Sequence, residues 1–394
     1  MGFLELDRRI RVVVAANFVA VAARMSLVTF LGIYLVHTAG IGLATVGSAF
    51  LVESLLRGTL APVFGALSDR VGRRALLLAS AFLTALVLPS FLLVRGEASL
   101  FLWSTAMGIT GAINMPVSTA LLLDLAPPAR RQAVLAVNYT GMSVAYTLGV
   151  MPAGYIAQQG YGLLAAIASL GYLAVGLLYA LALRGALPLE RSQGASNVLA
   201  ATVSVLANPV FLAFAALAWV FPFSMGQVVT VSPLWGAERA LGEGYIGLVL
   251  GGNSIIVALL AVPIAARIEA GGPFRPLGIA ALMVALALGC YAWIPDPATA
   301  YMAGTVVFSF GELVFSSSVP AGVARLAPAG QRGAYLGGWT LVSSIAMGSA
   351  LVLSGLLRDA AGWSAVWTLY AALVLAAGAG LFAARRWLLR SRSA

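Results

Sequence analysis

The sequence predicts an all-α membrane protein with twelve transmembrane helices in two pseudo-symmetric six-helix bundles. Three observations lead to this prediction. The chain of 394 residues is 61% hydrophobic and only 9% charged, with a mean hydropathy of +0.98, a composition that polytopic helical membrane proteins need and soluble domains do not. Its arginines lie in short segments between long apolar runs, and one of these segments recurs half a chain later.

Hydropathy divides the chain into twelve apolar stretches that are each about long enough to cross a bilayer. The first stretch follows Arg8, Arg9 and Arg11 as a signal peptide would, but it is too long and many further spans follow, so we interpret it as a retained span. The spans are predicted at about 12–36, 43–67, 75–94, 99–123, 133–157, 162–184, 209–232, 244–267, 276–294, 298–324, 335–357 and 364–388. The least apolar stretch follows the sixth span, which predicts an N-terminal bundle at 1–187, a cytoplasmic linker at 188–200 and a C-terminal bundle at 201–394.

The distribution of arginine tests this count of spans. The net charge is +10 and the chain has no lysine. With both termini in the cytoplasm, 18 arginines fall on the cytoplasmic side and three fall outside, at Arg95, Arg239 and Arg358. One missed span would invert every later loop, so the positive-inside rule supports twelve spans and a multi-pass protein of the cytoplasmic membrane. Because these arginines are dispersed in short loops, the lipid bilayer and not nucleic acid is the expected partner.

Residue types that support other classes of protein are scarce. A single cysteine, Cys290, excludes an internal disulfide, and with a single histidine, His37, no Cys/His metal site is predicted. No phosphate-binding glycine loop and no nucleophile beside a base is visible, so we predict neither an enzyme nor a bound cofactor. Energy for any transport must then come from a gradient. We expect a monomer.

The loop between the second and third spans contains the sequence Gly65-Ala66-Leu67-Ser68-Asp69-Arg70-Val71-Gly72-Arg73-Arg74. The pattern G-x-x-x-D-R-x-G-R-R resembles the signature of the same loop in the major facilitator superfamily. This resemblance implies two bundles with the substrate path between them, and transport by alternating access. It also implies that Asp69 contacts the start of span 11, at 334–338, when the cytoplasmic side is closed. The predicted conformational latch comprises Gly65, Asp69, Arg70, Gly72, Arg73, Arg74, Asp124, Arg131 and Arg332.

An internal repeat supports two halves of six spans each. The segment 124–133 follows span 4, and the segment 325–334 follows span 10. Leu, Ala, Pro, Arg and Ala recur between the two segments at a constant offset of 201 residues, for example Arg131 and Arg332. The repeat is the architecture that the resemblance implies.

Four ionisable residues lie within the predicted spans, namely Arg24, Glu53, Arg57 and Glu312. A charge at the middle of a bilayer costs at least ~2.5–3.5 kcal/mol, so such residues are usually paired or face water. Arg24 and Glu53 lie at similar depth, which predicts an ion pair between spans 1 and 2. Glu53 and Arg57 are four residues apart and share a face of span 2. The three residues either line the substrate pathway or lock the two spans together.

Glu312 differs from these three because no arginine lies within a helical turn of it in span 10. A carboxyl group in such a place can exchange a proton during a transport cycle, so we predict that Glu312 couples transport to protons. The alternative is a permanently protonated side chain that hydrogen-bonds Ser316 or a backbone carbonyl. The stretch around Glu312 also looks like a subgroup of bacterial efflux members of the superfamily.

Polar and aromatic residues at mid-span are candidates for the lining of a substrate path, although core packing is an equal alternative for each. They are Asn114, Asn138, Tyr146, Trp219, Gln227, Asn253 and Trp339. Span 5 loosely resembles the glycine–proline motif of drug/proton antiporters, but Met151 replaces the glycine before Pro152, and span 4 carries Asn114 where those antiporters have an arginine.

These observations favour a secondary transporter that exports a small apolar or amphiphilic compound in exchange for protons. The first alternative is the uptake or exchange of an organic anion or a sugar derivative, with Arg24 and Arg57 as ligands. The second is a membrane sensor or scaffold that does not transport, which leaves the isolated Glu312 without a role.

Overall fold

The computed structural model describes residues 5–183, 205, 207–271, 274–328 and 331–390. The predicted linker at 188–200 lies outside the described residues. Every element of regular structure in the described part of the chain is helical.

The first half of the chain forms six long helices. Helix α1 continues as a π-helical turn, Tyr34–Thr38, and α3 continues as a 3-10 helix, Leu88–Leu93. The bounds are α1 Arg8–Ile33, α2 Leu43–Val71, α3 Arg73–Val87, α4 Glu97–Leu125, α5 Arg131–Gln159 and α6 Tyr161–Ala182, with a short 3-10 turn at Pro128–Arg130.

The second half begins with three short helices that together form one span, Pro209–Glu238. A π-helical turn, Gln227–Val231, separates the second of these helices from the third. The bounds are α7 Pro209–Ala218, α8 Val220–Gly226, α9 Ser232–Glu238, α10 Glu243–Gly271, α11 Phe274–Trp293, α12 Pro297–Leu326 and α13 Arg332–Arg390.

The described residues contain 11 helical segments that are long and apolar enough to cross a membrane, and the last of them, Gly333–Ala384, has 52 residues. A straight helix of that length would measure ~78 Å, more than twice the ~30 Å hydrocarbon core. Gly362 interrupts it with φ 79° and ψ 172°, a conformation that glycine adopts without a steric penalty. The segment therefore contains two spans, and the predicted twelve-span fold is confirmed.

Side-chain caps fix where several helices begin. Asn208 accepts hydrogen bonds from the backbone N–H groups of Val210 at 2.9 Å and Phe211 at 3.1 Å, which satisfies two donors at the start of α7. Asp296 caps α12 through the N–H of Thr299 at 2.8 Å. These caps set the starts of the two helices that follow predicted external or linker segments.

The helices divide into two compact units. The first comprises the described residues of Met1–Ile41, Val52–Ala195 and Gly242–Gly251, and within it α1 packs on α5 and α6 while α3 packs on α4 and α6. The second comprises the described residues of Gly42–Leu51, Ser196–Leu241 and Gly252–Ala394, and within it α11 packs on α12 and α13. The predicted boundaries of the two six-helix bundles remain a prediction.

Large apolar side chains cover the outer surfaces of both units. Leu86, Leu102 and Leu259 are each more than 70% exposed. Soluble proteins rarely expose contiguous apolar surface on this scale, whereas lipid chains solvate it. The exposed leucines are therefore expected to face lipid.

Candidate functional site

A cluster of charged residues lies in the interior of the first unit. Arg24 of α1 donates a hydrogen bond from Nη2 to Oε1 of Glu53 on α2 and forms an ion pair with it. Arg24 lies sixteen residues after the start of the span Arg8–Thr38 and fourteen before its end. The side chains of Arg24 and Glu53 are only 12% and 8% exposed. The predicted ion pair between the first two spans is therefore present.

Arg57 completes this cluster from the same helix as Glu53. Its Nη1 lies 3.8 Å from the same oxygen, Oε1 of Glu53, and its side chain is 36% exposed. Fourteen residues separate Arg57 from either end of α2, so it lies at the middle of that span. Two guanidinium groups thus approach one carboxylate, and the cluster carries a formal charge of +1.

Two glycines allow α4 to pack closely against the charged cluster. A Cβ atom at Gly111 would lie 3.4 Å from Nη1 of Arg24 and 3.5 Å from Cδ of Arg57. A Cβ atom at Gly108, one turn earlier, would lie 2.9 Å from the backbone oxygen of Glu53. The absence of side chains at these positions lets the backbone of α4 form one wall of the cluster.

Tyr172 of α6 is part of this cluster, and sequence reasoning missed it. Its side chain is buried, and its hydroxyl interacts electrostatically with Arg24. A tyrosine in an apolar span is neutral, so nothing in the sequence indicates that it contacts Arg24. The only signal in the sequence was its depth, which matches that of many other residues.

A second polar network runs through the first unit beside the charged cluster. Asn17 donates through Nδ2 to Oδ1 of Asn138 at 2.9 Å, and the hydroxyl of Tyr179 donates to Oδ1 of Asn17 at 3.3 Å. The amide of Asn114 lies close to Tyr179, and its buried Nδ2 has no hydrogen-bond partner within 3.5 Å among the described residues. Of the predicted pathway residues, Asn138 belongs to this network and Asn114 lies beside it.

A carboxyl group lies at the centre of the second unit. Glu312 is fifteen residues from the start of α12 and fourteen from its end. Its Oε2 accepts a hydrogen bond from Nδ2 of Asn253 on α10 at 3.2 Å, and Oδ1 of Asn253 accepts one from Ser309 at 2.6 Å. Among the described residues, Asn253 is the only hydrogen-bond partner of Glu312, and none forms an ion pair with it. Ser316 instead donates to the backbone oxygen of Leu313 at 3.4 Å.

The predicted latch region has its own charge network in the first unit. Arg73 is buried between two carboxylates, with Nη2 at 3.2 Å from Oδ1 of Asp69 and Nε donating to Oδ2 of Asp124. It also donates to the hydroxyl of Ser68 at 3.2 Å. Arg73 therefore ties the end of α2 to the end of α4.

The other predicted latch residues lie around this network. Arg131 donates to the backbone oxygen of Leu123 at 3.0 Å, and Arg74 donates to that of Ala180 at 3.3 Å. Gly72 has φ 99° at the turn between α2 and α3, which explains the glycine at that position. Gly65 is half-buried and Arg70 is exposed. The side chain of Arg332 lies outside the described residues.

The remaining predicted pathway residues occupy varied environments. Gln227 is fully buried and exchanges hydrogen bonds with Ser354 at 2.9 and 3.0 Å. Trp219 packs on Phe223 with ring centroids 5.0 Å apart. Trp339 packs on Phe214 at 6.1 Å, and Tyr146 is half-buried. Their roles in a substrate path remain predictions.

Comparison with known sequences and structures identifies the class of this protein. The sequence model of the Major Facilitator Superfamily matches residues 13–300. The chain therefore belongs to the Major Facilitator Superfamily, a family of membrane transporters and not of enzymes.

One sequence relative and two solved structures illustrate what this chain is similar to. A Na(+), Li(+), K(+)/H(+) antiporter from Planococcus maritimus is 26% identical over 375 residues, covering 85% of this chain and 86% of the antiporter. The nucleoside transporter NupG superposes with a TM-score of 0.80 at 13% identity, covering 96% of this chain and 99% of NupG. The human organic anion transporter MFSD10 (TETRAN) superposes with a TM-score of 0.66 at 21% identity, covering 95% of this chain and 99% of that protein. At these identities the two structures establish the fold alone.

Proposed function

We propose that this chain is a proton-coupled antiporter of the cytoplasmic membrane. It exports a small apolar or amphiphilic compound by alternating access, works as a monomer and has both termini in the cytoplasm. Glu312 is the carboxyl group that binds and releases the proton. The proposed bundles at 1–187 and 201–394, with a cytoplasmic linker at 188–200, provide the two halves that alternating access requires.

The environment of Glu312 is the observation that carries this proposal. The carboxyl lies at the middle of a 30-residue span, where a charge is costly. Its one described hydrogen-bond partner is a neutral amide, which stabilises the carboxylate less than a cation does. A structural carboxylate at this depth would be expected to have an arginine partner, as Glu53 does. Proton exchange at Glu312 explains why it lacks one.

The antiporter relative from Planococcus maritimus supports exchange against protons, because its similarity extends over most of both chains. The experiment is a substrate panel in proteoliposomes that contain a pH-sensitive dye and an imposed inward proton gradient. For an antiporter, adding a substrate on the side opposite the protons must accelerate dissipation of the gradient. A panel in which no compound changes the proton flux contradicts the proposal.

A second candidate is the exchange of an alkali cation for protons at the same carboxyl group. The favouring observation is a set of hard oxygen donors, the carboxylate of Glu312, the amide oxygen of Asn253 and the hydroxyl of Ser309, within one hydrogen-bonded group. Carboxylate, carbonyl and hydroxyl oxygens suit hard cations. Dissipation of the proton gradient by Na⁺ or Li⁺, but not by choline, would select this candidate over export of an organic compound.

A further inference from the structure

The charged cluster of the first unit contains one cation more than its counter-ions can neutralise. Arg24 and Arg57 approach the same oxygen of Glu53. The other described carboxylates of this unit lie before α1 or within three residues of a helix end, at Glu5, Asp7, Asp69, Glu97, Asp124 and Glu243. None of them is at the depth of Arg57, so the cluster has a surplus positive charge at mid-span.

The surplus charge belongs to Arg57 and not to Arg24. Arg24 has a close ion pair with Glu53 and an electrostatic neighbour in the hydroxyl of Tyr172. Arg57 lies 3.8 Å from Glu53, beyond hydrogen-bonding distance, and no described residue accepts a hydrogen bond from its guanidinium group. The five N–H donors of an arginine need acceptors wherever they lie. Arg57 therefore has unused donors as well as an uncompensated charge.

The side chain of Arg57 is more accessible than the other members of the cluster. Its side chain is 36% exposed, three times the 12% of Arg24. Gly111 lets the backbone of α4 pack beside its stem, because a Cβ there would lie 3.5 Å from Cδ of Arg57. Three residues further along the same side of α4, Asn114 has a buried Nδ2 that lacks a described acceptor. A second polar group thus lies on the helix wall that Gly111 forms.

We infer that this cluster binds an anionic group of the transported compound, and that Arg57 is its direct ligand. The planar guanidinium group matches a carboxylate or phosphate through two parallel hydrogen bonds. Glu53 holds Arg57 in position through its carboxylate. Because Glu53 and Arg24 neutralise each other, the positive charge of Arg57 is available to the ligand. The inference rests on the proposed transport function and narrows its substrate class to amphiphiles with an anionic head group.

The test measures binding to the purified full-length protein, in detergent, without a pH gradient. Two matched pairs of probes share an apolar body and differ in the carboxylate: methylumbelliferyl glucuronide with methylumbelliferyl glucoside, and naphthylacetate with naphthylacetamide. Binding is followed by the ligand-induced rise in unfolding temperature. We expect the unsubstituted protein to bind the acid of at least one pair about tenfold or more tightly than its neutral partner.

Arg57→Gln should weaken binding of the acid by roughly ten- to a hundredfold, the range for a charged hydrogen bond, and leave binding of the neutral partner unchanged. Arg57→Lys should retain part of the preference because it keeps the charge and loses the planar fork. Arg95→Gln, which removes an exposed arginine from a loop, is the matched control and should retain all of it.

Two results would overturn the inference. One is the absence of any preference for the acid in the unsubstituted protein with both pairs, and the other is a preference that persists in Arg57→Gln. A structural role for Arg57 predicts a lower unfolding temperature of the ligand-free Arg57→Gln variant, whereas removal of a surplus charge predicts an equal or higher one. Because no proton gradient is present, this binding measurement does not depend on proton coupling, so failure of the coupling proposal is tested separately.

Discussion

Arg24 on α1 and Glu53 on α2 form an ion pair whose two side chains are almost completely buried near the middle of their spans. A buried pair of this kind contributes little net stability, but removing one member leaves the other charge without compensation. In this protein the pair is not isolated, because Arg57 lies 3.8 Å from the same carboxylate oxygen. The relative losses of stability on neutralising Glu53, Arg24 or both therefore test this geometry.

Glu53→Gln should be the most destabilising of the single neutralisations, by about 3–5 kcal/mol, because it leaves two guanidinium groups without a counter-ion. Arg24→Gln should cost less, since Arg57 is already close to Glu53. In a double-mutant cycle the pair of substitutions should show a coupling free energy of about 0.5–3 kcal/mol. Thermal unfolding in detergent measures all three variants, and a cycle with no coupling would contradict the geometry.

Because α4 packs closely against the cluster, two Gly→Ala substitutions should change the stability of the protein in opposite directions. Gly108→Ala should destabilise the protein by about 1–3 kcal/mol, because the new Cβ would lie 2.9 Å from both the backbone oxygen of Glu53 and Cβ of Leu56. Gly162→Ala is the matched control, since that position lies within α6 and nothing lies within 4 Å of its Cβ. It should stabilise the protein by about 0.4–1 kcal/mol. Equal effects of the two substitutions on the unfolding temperature would contradict this account.

The cap at the start of α12 predicts a dependence of stability on pH. Asp296 lies outside the spans, and its hydrogen bonds with Thr299 hold the pKa of its carboxyl below the ordinary value. Because the pKa is lower in the folded state, the stabilisation is present above the unfolded value of about 3.9 and is lost as the pH falls through the folded value. The difference in unfolding temperature between the unsubstituted protein and Asp296→Ala should be constant near pH 7 and shrink below about pH 4. A difference that stays constant through acid pH would refute the prediction.

Asp69 is predicted to act as a latch that holds the cytoplasmic side closed. Asp69→Asn should then raise the labelling rate of single cysteines placed in the cytoplasmic half of the path, in a background that lacks Cys290. A free-energy bias of ~1.4 kcal/mol corresponds to a tenfold shift in the populations of the two states. Asp69 also pairs with Arg73 at 3.2 Å, so the simpler alternative is that it only neutralises that arginine. Equal labelling rates in the two backgrounds would favour that alternative.

The sequence predicts the fold more completely than the site, for a physical reason. Hydropathy and the placement of arginine act along the chain, so twelve spans can be predicted without tertiary contacts. The Arg24–Glu53 pair is also predictable, because depth in the membrane restricts which opposite charges can meet. The contacts of Tyr172 with Arg24 and of Asn253 with Glu312 are not predictable in the same way. These contacts depend on how each helix is rotated about its own axis, because that rotation decides which neighbours its neutral side chains face. No charge pattern in the sequence specifies this rotation.

Gln227 shows the same limit from the opposite direction. As an amide at mid-span it is indistinguishable in sequence from Asn253, and both are candidates for the substrate path. In the structure Gln227 is fully buried and satisfied by Ser354, whereas Asn253 contacts the isolated carboxyl group of Glu312. Only packing separates a polar residue that links helices from one that contacts a candidate proton site.

The central claim is that Glu312 couples transport to protons, and one comparison tests it most directly. Glu312→Gln and the control Glu97→Gln, which alters an exposed carboxylate at the start of α4, are reconstituted and assayed with the same substrate. Each variant is measured for accumulation driven by a pH gradient and for counterflow exchange without one. The account predicts that Glu312→Gln retains exchange but loses pH-driven accumulation, while Glu97→Gln retains both. Unchanged pH-driven accumulation in Glu312→Gln would contradict it.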